Sequence, residues 1–333
     1  MALAITLLIP AYNEAERLGD AMARFDHAVA KGAVDLEVTE VIVVDDGSND
    51  ATAEVAERLL DAYPHHRVIR HQVNQGKGAA VRTGVRATRT PEVAFLDADM
   101  SLDPIGLPAM REALSVSLAA VASRTVPGSI VDDATFGRIA MSRVFNFMVT
   151  AGTGMAIRDT QCGFKAFRTS VARLLFHLVR VDGFAFDVEI LRVAHLLGMP
   201  ITEVPVRCHN VGGSTVHPAR HAWAMLSEVR RSRKGGFDIP PVTALTVRGA
   251  KTPTPDMVAA AVSPAVAGAP VPVLSRVGAI TVLLPLIGDD EAEAAQAALV
   301  ALSGPVERTQ LHLDDIIALG PLAPQLATTN SLA

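Results

Sequence analysis

Residues 41–50 read VIVVDDGSND, which is four apolar residues followed by two acids, a glycine and a run of small polar residues. The apolar run has the length and the β-branched composition of a buried strand. The polar run is a turn cluster that can cap a helix, and residues 51–62 have helical periodicity. This strand, turn and helix predict one half of a β-α-β unit.

The same alternation extends in both directions from this stretch. Short runs rich in β-branched residues are Ile5–Ile9, Glu40–Val44, Arg67–Arg70, Val93–Leu96 and Leu118–Ala122. Stretches with helical periodicity are Glu14–Ala30, Ala51–Ala62, Gly78–Thr88 and Asp103–Ser115. Because strands that alternate with helices of this length usually pair in parallel, we predict an α/β fold with a mainly parallel sheet and flanking helices.

The pattern changes after Ser123. Helices are predicted at Thr135–Thr150, Asp187–Leu197 and His217–Lys234, with a glycine-punctuated segment at Gly152–Ala166 and a strand at Ile201–Cys208. We expect residues 1–234 to form one domain.

The composition changes again at Gly235. Pro, Ala, Val and Thr dominate residues 235–278, as in a mobile linker. Residues 279–333 form a tail whose role the sequence does not indicate, with a candidate strand at Ala279–Leu286 and a candidate helix at Asp289–Leu302. We therefore expect a flexible Pro/Ala-rich tail behind the domain.

Length, charge and cysteine content limit the functional class. The chain has 333 residues, half of them hydrophobic, and a net charge of -5, which argues against nucleic-acid binding. Its two cysteines, Cys162 and Cys208, lack metal-binding spacing, so we expect a reducing, cytoplasmic compartment. No run has the length and apolarity of a membrane-spanning helix, and residues 1–10 are typical of a first strand rather than of a signal peptide.

The sharpest chemical signal is Asp97-Ala98-Asp99, at the end of the fourth predicted strand. Two carboxylates one residue apart suit a hard divalent cation such as Mg²⁺. An isolated D-x-D is more often a solvated turn. Three other polar loops follow predicted strands, however, and ligands of open α/β sheets bind beyond the carboxyl ends of the strands. The four loops together favour a metal site.

Those other loops carry candidate nucleotide-binding residues. Asp45 and Asp46 could accept hydrogen bonds from a ribose or a base, although one of them could serve only as a helix cap. Tyr12 could stack on a base or pack at the strand edge. Lys77 lies between two glycines at a predicted helix start, where it and backbone N–H groups could face a phosphate.

The second half of the chain supplies cations in loop settings. They are Arg124, Arg138, Arg143, Arg158 and Lys165. Arginine binds phosphate oxygens well, often with two parallel hydrogen bonds. Each of these cations could also be a solvated surface charge, and Arg124 and Lys165 are the stronger candidates. A phosphate-bearing acceptor would use such cations for positioning and electrostatic stabilisation.

Taken together, these motifs resemble the family 2 glycosyltransferases of the GT-A type. The stretches are IPAYNE, VIVVDDGSND, NQGKGAAVRTG and FLDADMS in the first hundred residues, then ASR, DTQCGFKAFR, GFAFDVEIL and EVPVRCHNVGGSTV. The later stretches resemble the branch that makes polyprenyl- or dolichyl-phosphate sugars, and look closest to the dolichyl-phosphate β-glucosyltransferases. The resemblance covers residues 3–232.

The resemblance implies a role for each matching residue. Pro10, Ala11, Tyr12 and Glu14 would hold the base, Asp45 and Asp46 the nucleoside, and Lys77 and Asp97 the rest of the nucleotide sugar. Asp97 and Asp99 would bind Mg²⁺ or Mn²⁺. Ser101 would be a third ligand, although relatives of the mannose-synthase type often have a longer polar side chain there. Arg124, Arg138, Arg143 and Lys165 would bind the acceptor phosphate, and Arg124 and Lys165 would also assist catalysis.

Asp187 stands where many relatives that glycosylate hydroxyl groups have a catalytic acid. A hydroxyl acceptor needs such a base. With a phosphate acceptor, Asp187 would instead orient neighbouring cations, and a third interpretation is a helix N-terminal acid favoured by the helix dipole.

The sequence thus predicts inverting transfer of a hexose, with UDP-glucose as the favoured donor, to a polyprenyl phosphate. One alternative is transfer to a soluble hydroxyl acceptor, and another is a non-catalytic sensor or scaffold that binds nucleotide sugars. The basic amphipathic stretch Arg220–Lys234 could lie on an anionic membrane or pack as an ordinary helix. We expect peripheral binding at the cytoplasmic face of the membrane, or a separate membrane-protein partner.

Overall fold

The computed structural model describes residues 4–36, 39–132, 155–179, 181–209, 241–248, 253–268, 270–276 and 279–318. The described residues up to 209, here called the first unit, contain β1 (Ile5–Ala11), α1 (Leu18–Ala30), β2 (Thr39–Asp45), α2 (Thr52–Leu60), β3 (His66–Arg70), α3 (Lys77–Ala87), β4 (Glu92–Leu96), a 3-10 turn (Pro104–Gly106), α4 (Leu107–Val116), β5 (Ala119–Ser123), β6 (Ile130–Val131), β7 (Phe164–Arg168), α5 (Thr169–Leu178), α6 (Phe186–Leu196), β8 (Ile201–Pro205) and β9 (Arg207–Cys208).

A seven-stranded sheet in the order β3-β2-β1-β4-β7-β5-β8 organises the first unit. Strands β1 to β4 are parallel, with Ala11 paired to Asp45 and Asp45 paired to Arg70. Every residue of β1 and β2 is buried, as expected for parallel strands covered on both faces. The register aligns the carboxyl ends of these strands, so the loops that follow them lie along one edge of the sheet.

Helices cover both faces of this sheet. One buried cluster joins the sheet to α1 and α4 through Phe25 and Met110. The other joins it to α3, α5 and α6 through Val81, Leu175 and Ile190. This three-layer arrangement confirms the predicted α/β fold with a mainly parallel sheet.

Strand β7 was not predicted. It runs antiparallel between β4 and β5 and belongs to the stretch DTQCGFKAFR. Four of its five residues are buried, including Lys165. Because that strand carries two cations in five residues, its sequence lacks the apolar run by which β1, β2 and β4 were recognised.

The described residues from 241 onward, here called the second unit, contain β10 (Val242–Arg248), α7 (Pro255–Val262), β11 (Val273–Arg276), β12 (Ala279–Leu284), α8 (Asp289–Ser303), β13 (Val306–Leu311) and α9 (Leu313–Ala318). The four strands form an antiparallel sheet in the order β11-β12-β10-β13. A β-α-β-β-α-β chain order with this strand order is the split β-α-β arrangement.

The second unit differs from the expected linker over residues 235–278, because β10, α7 and β11 lie inside that range. In VTALTVR, residues 242–248, alternate residues face opposite sides of the sheet. Leu245 packs under α7 and α8, whereas Ala244 belongs to the buried cluster of the first unit. The surrounding Pro and Ala residues obscured this strand pattern in the sequence.

His177, at the end of α5, ties the two units together. The backbone N–H of Leu286 donates to its Nδ1 at 3.1 Å, and its Nε2 lies 3.2 Å from the carbonyl oxygen of Pro241. An imidazole that accepts at Nδ1 carries its proton at Nε2 and can donate it to that carbonyl. The second unit is therefore docked on α5 by polar as well as apolar contacts.

Several predictions lie outside the described residues. They concern Arg138, Arg143, the helix at Thr135–Thr150 and the basic helix at His217–Lys234. Within the residues that are described, none of the helices combines the length and the apolar character required to cross a membrane.

Candidate active site

Hydrogen bonds join the loop after β1 to the loop after β2. The N–H of Asn13 donates to Ser48 Oγ at 2.9 Å, and the N–H of Glu14 donates to Thr52 Oγ1 at 2.8 Å. Asn13 adopts a positive φ of 53°, which asparagine tolerates better than most residues. The side chain of Tyr12 remains 41% exposed beside this junction. The Tyr12 ring is therefore accessible to a ligand, and its stacking on a base stays a prediction.

The two acids after β2 are buried and bonded within the protein. Asp45 Oδ1 accepts hydrogen bonds from the N–H and the hydroxyl of Ser48. Its Oδ2 lies 3.2 Å from Arg70 Nε. The side chain of Asp45 is fully buried, so its predicted contact with a nucleotide differs from the structure. Asp45 instead shapes the turn that leads into the site.

Asp46 links three segments of the same edge. Its Oδ1 lies 2.7 Å from His71 Nδ1 and accepts the N–H of Gln75 at 3.0 Å. Its Oδ2 accepts the N–H of Gly76 at 2.7 Å. These bonds fix the loop immediately before Lys77, and Asp46 is 3% exposed. Sequence reasoning missed His71, which no motif indicated.

At the centre of the site, cations and carboxylates alternate along a chain of close contacts. Lys77 Nζ lies 2.6 Å from Asp97 Oδ1 and 3.6 Å from Asp187 Oδ2. Lys165 Nζ donates to Asp187 Oδ1 and, at 2.7 Å, to the carbonyl oxygen of Cys162. Burial opposes the charge on Lys77, but the carboxylates of Asp97 and Asp187 outweigh it and raise the pKa of Lys77.

This series of contacts brings together residues from four separate parts of the sequence. Lys165 is fully buried, which differs from its predicted contact with an acceptor phosphate. An enclosed ammonium group acts on a ligand only through Asp187. Asp187 has both oxygens facing lysines, so it resembles an orienting group more than a base presented to a hydroxyl.

At the start of α3, a backbone N–H that could face a ligand is hydrogen-bonded within the protein instead. The N–H of Gly78 donates to the carbonyl oxygen of Asp182 at 2.7 Å. A Cβ on Gly76 or Gly78 would lie 2.4 Å from the carbonyl oxygen of Asp182 or Val181, and Gly76 has a φ of 104°. Both glycines are therefore required for the close approach of this segment. The expectation that these N–H groups face a phosphate differs from the structure.

Glu14, Asp97 and Asp99 concentrate negative charge at the carboxyl edge of the sheet. Burial is the main cause that raises the pKa of Asp97. The charge of Lys77 opposes this rise, and the charges of Asp99 and Asp187 add to it. Burial is the main cause that raises the pKa of Glu14. The charges of Asp99 and Asp97 add to this rise, whereas Arg17 opposes it. The charge of Asp99 thus makes both Glu14 and Asp97 harder to ionise, and a cation would relieve this repulsion.

The carboxylates of Asp97 and Asp99 have the donor chemistry of a divalent cation site. The side chain of Asp97 is 33% exposed, and its Oδ1 contacts Lys77 without a directed hydrogen bond. Asp99 Oδ1 accepts the N–H of Ser101 at 2.9 Å. No cluster of three His, Cys, Asp or Glu side chains is arranged for one ion in the described ranges. The remaining ligands would come from substrate, as Mg²⁺ commonly requires.

Arg124 follows β5 and is held by Asp159. Its Nε donates to Asp159 Oδ2 at 2.7 Å and its Nη2 to Oδ1 at 2.8 Å. Burial disfavours the charge on Arg124, but these hydrogen bonds and the carboxylate itself raise its pKa above the ordinary value. The Arg124 side chain is 34% exposed. Sequence reasoning missed Asp159, although it begins the stretch DTQCGFKAFR.

Comparisons with known proteins identify relatives of this chain. The family model described as glycosyl transferase family 2 matches residues 6–176. The dolichyl-phosphate β-glucosyltransferase of Drosophila melanogaster is 36% identical over 65% of this chain and 70% of its own length. The corresponding protein of Dictyostelium discoideum is 31% identical over 69% of this chain and 73% of its own length.

Solved structures agree with the fold. Glucosyl-3-phosphoglycerate synthase from Mycobacterium tuberculosis, in complex with Mn²⁺, UDP and phosphoglyceric acid, superposes with a TM-score of 0.53 at 19% identity. The similarity covers 72% of this chain and 82% of that one. It confirms the GT-A type of α/β fold. The family match spans the four strand-end loops, Lys77, Asp97 and β7, and the chain therefore belongs to glycosyl transferase family 2.

Proposed function

We propose that the chain transfers a hexose from a nucleotide diphosphate sugar, with UDP-glucose favoured, to a polyprenyl phosphate. The observation that carries the proposal is the contact chain Lys77–Asp97–Asp187–Lys165 at the carboxyl edge of the sheet. It places the partly exposed carboxylate of Asp97, which could bind a cation, beside the ammonium group of Lys77, which could bind a phosphate. The names of the relatives from Drosophila melanogaster and Dictyostelium discoideum support the acceptor.

Donor binding would use the exposed side of this edge. Tyr12 offers an open aromatic face for the base, and Lys77 an ammonium group for the diphosphate. Asp97 and Asp99 would hold Mg²⁺ or Mn²⁺, which supplies charge neutralisation for the departing diphosphate. A structural relative has been crystallised with Mn²⁺ and UDP-glucose, which supports this choice of cation and donor.

A phosphate acceptor fits the arrangement of Asp187. A phosphate is largely anionic near neutral pH and needs positioning more than deprotonation. Asp187 would hold Lys77 and Lys165 in place rather than remove a proton. Arg124, with one edge held by Asp159 and a third of its side chain exposed, would contribute positive charge toward the acceptor. A lipid acceptor would require contact with a membrane surface, and we propose peripheral binding at the cytoplasmic face.

The test is incubation of the purified full chain with Mg²⁺ or Mn²⁺, a short polyprenyl phosphate and radiolabelled UDP-glucose, GDP-mannose or UDP-N-acetylglucosamine. A labelled product that partitions into organic solvent is expected with UDP-glucose. Asp99→Asn should abolish it, because one of two cation-binding carboxylates is lost. Asp61→Asn is the matched control, since Asp61 is exposed at the end of α2.

Two results would contradict the proposal. If the label appears on a soluble hydroxyl acceptor and none appears on the lipid, the polyprenyl phosphate is not the acceptor. Binding of UDP-glucose without turnover on either acceptor, in protein whose melting transition is intact, would support a sensor or scaffold instead.

A further inference from the structure

A cavity of about 500 Å³ lies between the two units, on the side of α3 away from its active-site end. Its volume is in the range of sites for small metabolites, which is about 300–1,000 Å³. The residues of the first unit that line it include Arg82, Thr83, Arg86 and His177, and those of the second unit include Thr243 and Gln310.

The charges at this cavity leave one arginine uncompensated. Arg82 is paired with Asp182 at 2.6 Å. Asp289, the acid that lines the cavity, is paired with Arg308 at 3.1 Å. Arg86 is exposed, and its guanidinium makes no hydrogen bond or ion pair with the described part of the chain. The cavity therefore presents net positive charge to an incoming ligand.

Further positive charge stands behind Arg86. Arg173 is 2% exposed, and its buried Nε has no hydrogen-bond partner in the part of the chain described. Burial, and then the charges of Arg89 and Arg86, lower the pKa of Arg173 to about 10, with Glu291 as the opposing carboxylate. The cluster Arg86, Arg89 and Arg173 thus carries more cationic than anionic charge, and an anion in the cavity would reduce that repulsion.

From this cavity we infer a binding site for a sugar phosphate. Arg86 suits the phosphate, because guanidinium groups match phosphate oxygens. Arg82 stands beside it and adds positive charge, but its Nε, Nη1 and Nη2 already donate to Asp182 and to two backbone carbonyl oxygens.

The side chains of Thr243 and Gln310 hydrogen-bond each other. The hydroxyl of Thr83 and the remaining N–H donor and carbonyl lone pair of the Gln310 amide suit the hydroxyls of a sugar. The lining offers no Phe, Tyr or Trp ring for a nucleobase within the described residues, which favours a sugar over a nucleoside.

The same residues connect the cavity to the donor site. Thr83 Oγ1 lies 2.9 Å from His71 Nε2, and His71 Nδ1 contacts Asp46, which holds the loop before Lys77. Arg82 also bonds Asp182, whose carbonyl caps α3 at Gly78. A ligand that shifts Thr83 or Arg82 therefore acts on the position of Lys77 through a series of intervening hydrogen bonds. The sugar phosphate is therefore an effector of nucleotide binding.

The binding test is calorimetric titration of the full chain with glucose 6-phosphate, in the presence of saturating UDP and Mg²⁺ to fill the donor site. We expect a dissociation constant below about 1 mM. Arg86→Ala should weaken it about tenfold or more, as for the loss of a charge-assisted hydrogen bond. Gln310→Glu, which adds a carboxylate to the cavity, should weaken it similarly, and Arg58→Ala on exposed α2 is the matched control.

Three results would overturn the inference. The site is refuted if glucose 6-phosphate does not bind, or if Arg86→Ala and Arg58→Ala bind it equally well with intact melting transitions. If inorganic phosphate binds as tightly as glucose 6-phosphate, the sugar does not contribute to binding and the site is not specific for a sugar phosphate. The effector role requires that glucose 6-phosphate change the dissociation constant of UDP, with UDP changing that of glucose 6-phosphate by the same factor. A factor of one would refute that role, and none of these readouts depends on transferase activity.

Discussion

Replacing Lys77 by methionine tests whether this lysine neutralises the carboxylates of the donor site. Asp97, Asp99 and Asp187 carry three negative charges, which Lys77 and Lys165 reduce to a net charge of -1. In Lys77→Met the net charge becomes -2, and the carboxylate of Asp97 loses its only contact within salt-bridge distance among the described residues. The variant keeps most of the side-chain volume, so electrostatics dominate its effect.

The size of the effect follows from the burial of the pair. Removing one partner of a fully buried ion pair costs about 3–5 kcal/mol. The Lys77 side chain is 16% exposed and that of Asp97 33%, so solvent screens part of the interaction. We therefore expect a loss of roughly 1–3 kcal/mol in the free energy of unfolding. For a chain of this size that is a fall of about 2–10 °C in Tm.

A divalent cation should reverse much of this loss. Mn²⁺ would stand against Asp97 and Asp99 in place of the missing ammonium group, so it should raise the Tm of Lys77→Met more than that of the unaltered chain. Thermal unfolding followed by circular dichroism, with EDTA or with Mn²⁺, measures both changes. Lys31→Met is the control, because Lys31 lies exposed at the end of α1.

The reasoning would be refuted by a Lys77→Met variant that melts with the Lys31→Met control in EDTA. It would also be refuted by Mn²⁺ that stabilises both variants equally. The first result would mean that the carboxylates are screened by solvent alone. The second would mean that Lys77 and the cation do not act on the same carboxylates.

Three further predictions concern residues around this contact chain. Gly163→Ala places a Cβ 2.1 Å from Asp97 Oδ2, so we expect Asp97 to move away from Lys77, with a large loss of Mn²⁺ and UDP affinity by calorimetry and a fall in Tm comparable to that of Lys77→Met; unchanged affinity would contradict this. Asp187→Ala leaves the ammonium group of Lys165 buried without its carboxylate and should lower the free energy of unfolding by about 3–5 kcal/mol in urea, whereas a purely catalytic Asp187 would leave it unchanged. Burial raises the pKa of the Cys162 thiol, so at pH 8 it should resist a thiol reagent until the chain unfolds, and two thiols that react at once would refute its burial.

The strand-end motifs were largely readable from the sequence. The stretch VIVVDDGSND is a buried strand and a turn, as expected, because an apolar run followed by Asp-Gly has few other compact structures. Asp97 and Asp99 stand at the end of β4, where a parallel sheet places ligand-binding residues. Local pattern was sufficient from β1 to β5, where each apolar run is followed within about 30 residues by a turn and a helix.

The assignment of roles within the site was less complete, because burial is not a local property. Asp45 and Asp46 were candidate ligand contacts, with a helix cap as the alternative for one of them. In the structure Ser48 and Arg70 contact Asp45, whereas His71 and backbone N–H groups contact Asp46. Lys165 read as a phosphate contact, yet β7 carries it into the interior. Such partners come from segments far apart in the sequence, and no spacing rule identifies them.

By itself the sequence determined the class of the fold, the order of strands and helices from β1 to β5, and the carboxylates at the strand ends. These depend on hydrophobic periodicity and turn chemistry, which act over a few residues. Only the tertiary structure decided that Lys77 meets Asp97, that Asp187 holds Lys165, and that residues 242–318 fold onto α5 around a cavity. These contacts join residues that are 20 or more positions apart. Their energies come from burial and charge in three dimensions, which a one-dimensional pattern does not contain.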